Sequence, residues 1–362
     1  MGAVSLVNRA LSRKGMAMGP QADITVDILR PYLRQEVPWL GGLQDIQKFA
    51  TGQSNPTYKL TSTTGAYVLR AKPAGTLLKS AHMVEREFRV MAALHESGVP
   101  VPRMIHLASD ETSPIGRAFF IMEMVEGRIF WDPAVPEVSK TERAAIYDQM
   151  NVALVALHNV DVGAAGLSDF GKPGSYFERQ TDKWSRQYVA SKTVENADMD
   201  RLMDWLKAHL PPDDGQIALV HGDYRLDNMI FASDAPRVVA VLDWELSTLG
   251  HPLADLAYQC MQWRLPNRGG MRGLGGLDRT AMGIPTEREY VSTYCARRGI
   301  EPPDNWAFYL AFSFFRLAAI LEGVVRRAHD GNASNPETAR SYAAAIPLLA
   351  VAANDIINGT ST

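Results

Sequence analysis

Cysteine is nearly absent: two residues, Cys260 and Cys295, in a chain of 362. That excludes a disulfide framework. The pair shows no metal-ligand spacing, so a reducing, cytoplasmic setting is expected. Charge of one sign is also scarce. The formal net charge is -3, which gives no bulk attraction to nucleic acid or membrane, and neither is expected as a partner. No apolar run approaches the ~20 residues of a membrane span. Arg9, Arg13 and Lys14 precede the first acid, Asp23, but no continuous apolar stretch of signal-peptide type accompanies them. Residues 1–23 therefore read as a disordered extension. No internal repeat is visible. Hydrophobic residues make up 46% of the chain, enough for a substantial core, and the length suffices for two lobes.

The most informative stretch runs from Leu219 to Phe231 and resumes at Val238 to Glu245. Gln216 to Val220 is an apolar run that stops at His221-Gly222. Met229-Ile230-Phe231 is a second short run, Asp234 to Arg237 supplies turn residues, and Val238 to Leu242 is a third run ending at Asp243. Asp223, Asn228 and Asp243 thus stand where strands give way to loops, the places from which a rigid scaffold presents polar groups. An isolated loop Asp is more often a cap than a reactive group. Three polar residues at offsets of five and fifteen reverse that weighing.

Protein-kinase catalytic loops share the five-residue offset between a base Asp and a metal-binding Asn, then a hairpin and a metal-binding Asp. A phosphoryl group in transfer needs a carboxylate to orient the attacking hydroxyl. It also needs oxygen ligands for Mg²⁺. By that logic Asp223 orients the hydroxyl, and Asn228 and Asp243 hold the metal. Arg225, two residues after Asp223, faces the developing charge. His221-Gly-Asp-x-x-x-x-Asn228 with Leu242-Asp-Trp-Glu245 resembles the aminoglycoside phosphotransferase and choline kinase superfamily. The longer run from Leu242 to Tyr258 looks like the subfamily of kinase-like domains fused to acyl-CoA dehydrogenases in some animal proteins. The resemblance covers roughly residues 40 to 350. It implies a two-lobed, protein-kinase-like α+β fold: a small antiparallel-sheet lobe with one helix, residues 24–126, then a larger helical lobe, residues 127–362. It also implies ATP and Mg²⁺ as cofactors. The acceptor is expected to be a small-molecule hydroxyl, on a hydroxyacyl group or its coenzyme A thioester. A nucleotide-binding pseudokinase or regulatory module, and an aminoglycoside- or choline-type kinase, are the competing readings.

Other candidates follow in chain order. A helix is expected over residues 24–35. Ile46 to Leu60 reads as two strands around a turn of Gly52, Ser54 and Asn55, which in a kinase gives backbone N–H groups to the nucleotide phosphates. On the next strand Val68, Arg70 and Lys72 share a face. Arg70 matches the position of the kinase phosphate-binding Lys, with Lys72 as its competitor. A helix from Ser80 to Ser97 carries Glu87 on the side of Val84 and Met91, able to pair with either cation, while Glu85 points elsewhere. Ala118 to Gly127 reads as a buried strand leading to a hinge, where Glu123 to Val125 would offer backbone groups to adenine. The remainder is mainly helical, with segments around 146–157, 177–192, 199–210, 290–298, 306–329 and 336–357. His221 and Asp255 read as structural, the latter bonding loop amides near Gly250 and Pro252. Leu265 to Pro285, rich in Gly, reads as a long polar loop that is either a lid or an insertion. Trp184, Tyr188 and Arg264 could line an acceptor site or serve ordinary core and surface roles.

Overall fold

A computed structural model describes residues 24–49, 55–74, 83–268, 271–331 and 336–359. The chain forms two compact units. One comprises the chain up to Ile129 together with Asn228–Leu246; the other comprises Phe130–Asp227 and the chain from Ser247 onward. The sequence alone suggested a single boundary near residue 126. The first unit instead takes a second stretch of chain because backbone bonds tie it there. Arg128 and Phe231 exchange N–H···O bonds of 2.7 and 2.8 Å, and the Val241 N–H donates to the Pro100 carbonyl at 2.8 Å.

In the first unit, Thr25 caps the helix Val26–Glu36 with its hydroxyl on the Ile28 N–H. Leu29 and Leu33, one turn apart, are fully buried. Five antiparallel strands follow: β1 (Leu43–Lys48), β2 (Thr57–Ser62), β3 (Gly65–Ala71), β4 (Met104–Ala108) and β5 (Phe119–Glu123), in the order β1-β2-β3-β5-β4. Alternation on β3 sorts its side chains. Tyr67, Leu69 and Ala71 join Leu29, Leu33, Leu60, Phe119 and Ile121 in one apolar cluster. Arg70, on the other face, meets the helix Val84–Leu94. Burying that cluster, at ~25 cal/mol per Å², supplies the main drive for this sheet and helix to associate. Two further strands, β7 (Met229–Phe231) and β8 (Val238–Val241), pair antiparallel in the same unit.

The second unit is mainly helical: Lys140–His158, Tyr176–Ser191, Ala197–Ala208, Leu253–Arg264, Glu287–Arg298, Trp306–His329 and Pro336–Ile357. By length and composition Trp306–His329 could cross a membrane, although no continuous apolar run of that length was expected. Its most apolar window is 78% buried inside the structure, and Phe308, Tyr309 and Phe312 pack around Phe177. A short pair of strands, β6 (Ala218–Val220) and β9 (Thr248–Gly250), runs antiparallel. The expected long loop after Leu265 is instead folded. It holds the strands β10 (Asn267–Arg268) and β11 (Met271–Arg272) and the helical turn Arg279–Met282, with Leu274 and Ile284 buried. Gly273 and Gly275 serve close approach: a Cβ on Gly273 would lie 2.1 Å from the Leu265 carbonyl oxygen.

Candidate active site

The first unit gathers charge around one guanidinium. Arg70 Nε lies 3.1 Å from Glu87 Oε2, and its Nη2 lies 2.7 Å from Asp243 Oδ1 and 3.7 Å from Glu245 Oε2. The strand presents Arg70 and the helix presents Glu87. Asp243 follows β8 with a φ of 67°, a left-handed conformation unusual for a residue with a side chain. Glu87 is 1% exposed and receives the Asn55 amide at 2.8 Å. Burial pushes its carboxyl up to about 7; Arg70 opposes this, while Asp243 and Glu245 add to it. Arg70 stays above its ordinary value, because the three carboxylates outweigh the burial that would pull it down.

Lys72, the competing cation, is engaged elsewhere, at 2.5 Å from Glu85 Oε1 and 2.9 Å from Asp110 Oδ2. Asn228 closes a 3₁₀ turn, and its carbonyl accepts the Leu242 N–H at 2.8 Å. That bond sets Asn228 and Asp243 beside each other at the mouth of the β7–β8 hairpin. Asn55 differs from its expected place over the phosphates: it is buried against Glu87. Gly52 and Ser54 lie outside the described residues. At the expected hinge, the Glu123 N–H donates to the Arg103 carbonyl and its carboxylate accepts the Arg103 N–H. At that position the N–H is thus committed to the backbone.

In the second unit, β6 leads into His221-Gly222-Asp223. Asp255 holds this turn: its Oδ2 accepts the His221 N–H at 2.6 Å and its Oδ1 the Gly222 N–H at 2.8 Å. It was expected to bond amides near Gly250 and Pro252. The helix that carries it aims it at the catalytic turn instead. His158 Nε2 lies 3.3 Å from Asp255 Oδ2, and the same ring's Nδ1 lies 2.6 Å from the Tyr294 hydroxyl. Despite burial, these hydrogen bonds and His158 hold Asp255 below the usual carboxylate range. Gly222 has a φ of 82°, which a Cβ would resist. The Asp223 N–H donates to His221 Nδ1 at 3.2 Å. Arg225 lies 3.4 Å from Asp223 Oδ1 and 3.0 Å from Asp227 Oδ2.

Sequence reasoning passed over Tyr258, a buried residue whose hydroxyl is held above its ordinary value by burial and then by the Asp223 carboxylate. Its place one turn after Asp255 on an apolar helix was the available signal. Of the other candidates, Arg264 is held by Glu287 at 2.7 and 2.9 Å, and Tyr188 is 1% exposed in the core.

The donor set suits a hard cation. Asn228 and Asp243 offer amide and carboxylate oxygens, the ligands Mg²⁺ takes alongside water and phosphate. Three carboxylates face one guanidinium, so with all of them ionised a negative excess remains. A divalent cation would relieve that excess.

A small antiparallel sheet with an ion-paired helix, and a helical unit carrying an Asp on a tethered turn, define a kinase-like phosphotransferase. The chain belongs to the phosphotransferase enzyme family, whose profile matches residues 45–289. A solved structure from Ralstonia eutropha, provisionally described as an aminoglycoside phosphotransferase, is 45% identical. It superposes with a TM-score of 0.83 over 93% of this chain and 99% of that one. An aminoglycoside phosphotransferase in ternary complex with ADP and hygromycin B shares the fold at 16% identity, with a TM-score of 0.58 over 92% and 99% of the two chains. Among curated relatives, mouse acyl-CoA dehydrogenase family member 10 is 49% identical over 83% of this chain, and rat family member 11 is 42% identical over 91%. The chain spans only 28% and 43% of those two proteins.

Proposed function

We propose that this protein transfers the γ-phosphoryl group of ATP, with Mg²⁺, to a hydroxyl of a small molecule, of the hydroxyacyl or hydroxyacyl-coenzyme A class. The observation that carries the reading is the convergence of Arg70, Glu87 and Asp243. A guanidinium held by a buried carboxylate is preorganised for phosphate oxygens, so little ordering is left to do when nucleotide arrives. Asn228 and Asp243 would hold the metal, and Arg70 would bind nucleotide phosphate. Bound Mg²⁺ would neutralise charge on the phosphoryl oxygens. Asp223 would orient the acceptor hydroxyl and accept its proton. Arg225 would offset charge as the bond to the leaving oxygen lengthens. The acyl class is supported by the names of the longer relatives and by nothing at the site itself.

A nucleotide-binding regulatory module is favoured by one feature: Arg70 occupies one oxygen of Asp243. Turnover separates the two readings. ADP release should be measured with Mg·ATP and hydroxy acids, hydroxyacyl-coenzyme A thioesters, aminoglycosides and choline. We expect turnover with the acyl set, falling ~10²–10⁴-fold in Asp223→Asn, the usual worth of general-base help. ATP binding without turnover of any acceptor would instead establish the regulatory module.

A further inference from the structure

Among the described residues, Arg316 has no anionic partner. It is 5% exposed, within the long buried helix, and it forms no hydrogen bond or ion pair with any described residue. It lies instead among rings: the guanidinium carbon is 5.3 Å from the Tyr258 ring centroid and 5.7 Å from that of Trp184. Ring faces attract a cation but accept none of its five N–H donors. A guanidinium so enclosed, with no carboxylate bonded to it among the described residues, is placed to take an anion.

Two buried acids of the same unit are engaged elsewhere. Asp255 holds the His221 and Gly222 amides, and Glu322 takes the Thr193 amide and hydroxyl at 2.7 and 2.6 Å. A second cation sits on the same indole: Lys183 Nζ is 4.7 Å from the Trp184 ring centroid. Lys183 is exposed, so the cluster runs from the surface inward. Crowding by its surroundings, and then repulsion from Arg316, holds the Lys183 ammonium below its ordinary value.

We infer that Arg316, Lys183 and Trp184 form an anion subsite for the phosphoryl acceptor, taking a carboxylate or phosphate oxyanion of a hydroxylated substrate. The inference rests on the proposed function, because it names the acceptor of the same site. Tyr258 sets the geometry: it stands one turn after Asp255, which holds the amides just before Asp223, while its ring lies under Arg316. The guanidinium therefore sits against the helix that holds the turn carrying Asp223. That closeness suits a short hydroxy acid. It disfavours a polycationic acceptor such as an aminoglycoside, which two cations beside the base would repel.

The test is calorimetric binding to the full chain, in the presence of Mg²⁺ and a non-hydrolysable ATP analogue. The probes are hydroxybutanoates with the hydroxyl at successive carbons, their methyl esters, their coenzyme A thioesters and their N-acetylcysteamine thioesters. The free acids carry a carboxylate, the coenzyme A thioesters only phosphates, and the other two no anion. Binding of the acids locates a carboxylate in the subsite. Binding of the coenzyme A thioesters but not the N-acetylcysteamine thioesters locates a phosphate. Arg316→Met should weaken the anionic probe at least ~30-fold, as expected for losing one partner of a buried charge pair. Arg316→Lys should recover part of that loss, and Lys183→Met should weaken binding by roughly 3–10-fold, as for a rim charge.

Thermal unfolding adds a readout that a structural arginine would move in the opposite direction. Arg316→Met should melt at or above the wild-type temperature, because an unpaired buried charge is replaced by an apolar chain. The subsite is overturned if uncharged probes bind as well as anionic ones. It is also overturned if Arg316→Met and Lys183→Met both bind within about threefold of wild type, or if Arg316→Met loses stability while Lys183→Met binds normally. Anion binding lost in the variants, without phosphate transfer in the wild type, would retain the subsite and remove the kinase reading. Transfer to uncharged hydroxyls alone would do the reverse.

Discussion

Arg70 and Lys72 stand two residues apart on one face of the chain, yet their surroundings differ. Arg70 is bonded to Glu87 and Asp243, while Lys72 is paired with Glu85 and Asp110 nearer the surface. Arg70→Ala should lower kcat/KM for ATP by ~10²–10³-fold, the scale of a single preorganised electrostatic group. Lys72→Ala should change it by less than about threefold, since partly exposed ion pairs contribute little. Steady-state kinetics on both variants decides the matter, and greater damage from Lys72→Ala would remove Arg70 from the site. Glu87 carries a pH prediction. Burial raises its carboxyl from an ordinary 4.5 to about 7, so the folded chain holds this proton over a range where the unfolded chain has released it. Stability from Glu87 is therefore full below about 4.5 and declines as pH rises toward about 7. Relative to Glu87→Gln, the wild-type urea midpoint should fall across that window and stay level above it. Parallel midpoints from pH ~4 to ~8 would show that Glu87 does not titrate this way.

At the scale of elements, the turn that presents Asp223 is held by a side chain from a helix rather than by strand pairing. The Asp255 carboxylate accepts two successive backbone N–H groups and faces His158, all buried. Asp255→Ala would leave those two N–H groups without an acceptor, at roughly 1–3 kcal/mol each. A total loss of about 3 kcal/mol is expected, measured by urea unfolding. Asp255→Asn, which keeps one acceptor oxygen, should lose about half as much. Equal losses for the two variants would mean that the carboxylate's charge, not its two bonds, holds the turn. The Gly-rich segment after Leu265 teaches the converse lesson. Its composition reads as a loop, but Gly273 and Gly275 let two backbones pass closely, and Leu274 and Ile284 are buried. Composition reports where a Cβ is missing, not whether the space is empty or filled.

For the molecule as a whole, the first unit depends on chain that returns far downstream. Asn228–Leu246 brings Asp243 to Arg70, Phe231 to Arg128 and the fully buried Trp244 into a unit otherwise complete by Ile129. A fragment of residues 24–129 should therefore lack cooperative unfolding. Differential scanning calorimetry would show this, and a sharp transition near the full-length melting temperature would refute it. Much was determined by the sequence alone. The periods of the strands and long helices were legible, because apolar residues at spacing two or 3.6 encode which face is buried. The Asp223, Asn228 and Asp243 spacing identified the family, because that chemistry needs those oxygens on one strand-hairpin scaffold. Other features waited for the tertiary structure. It alone decided that Glu87 takes Arg70 rather than Lys72, that Asp255 tethers His221 and Gly222 and that Arg316 is left among rings. Arg70 and Asp243 are 173 residues apart, and a side chain's partner over such a distance is set by how the elements pack, which no local pattern encodes.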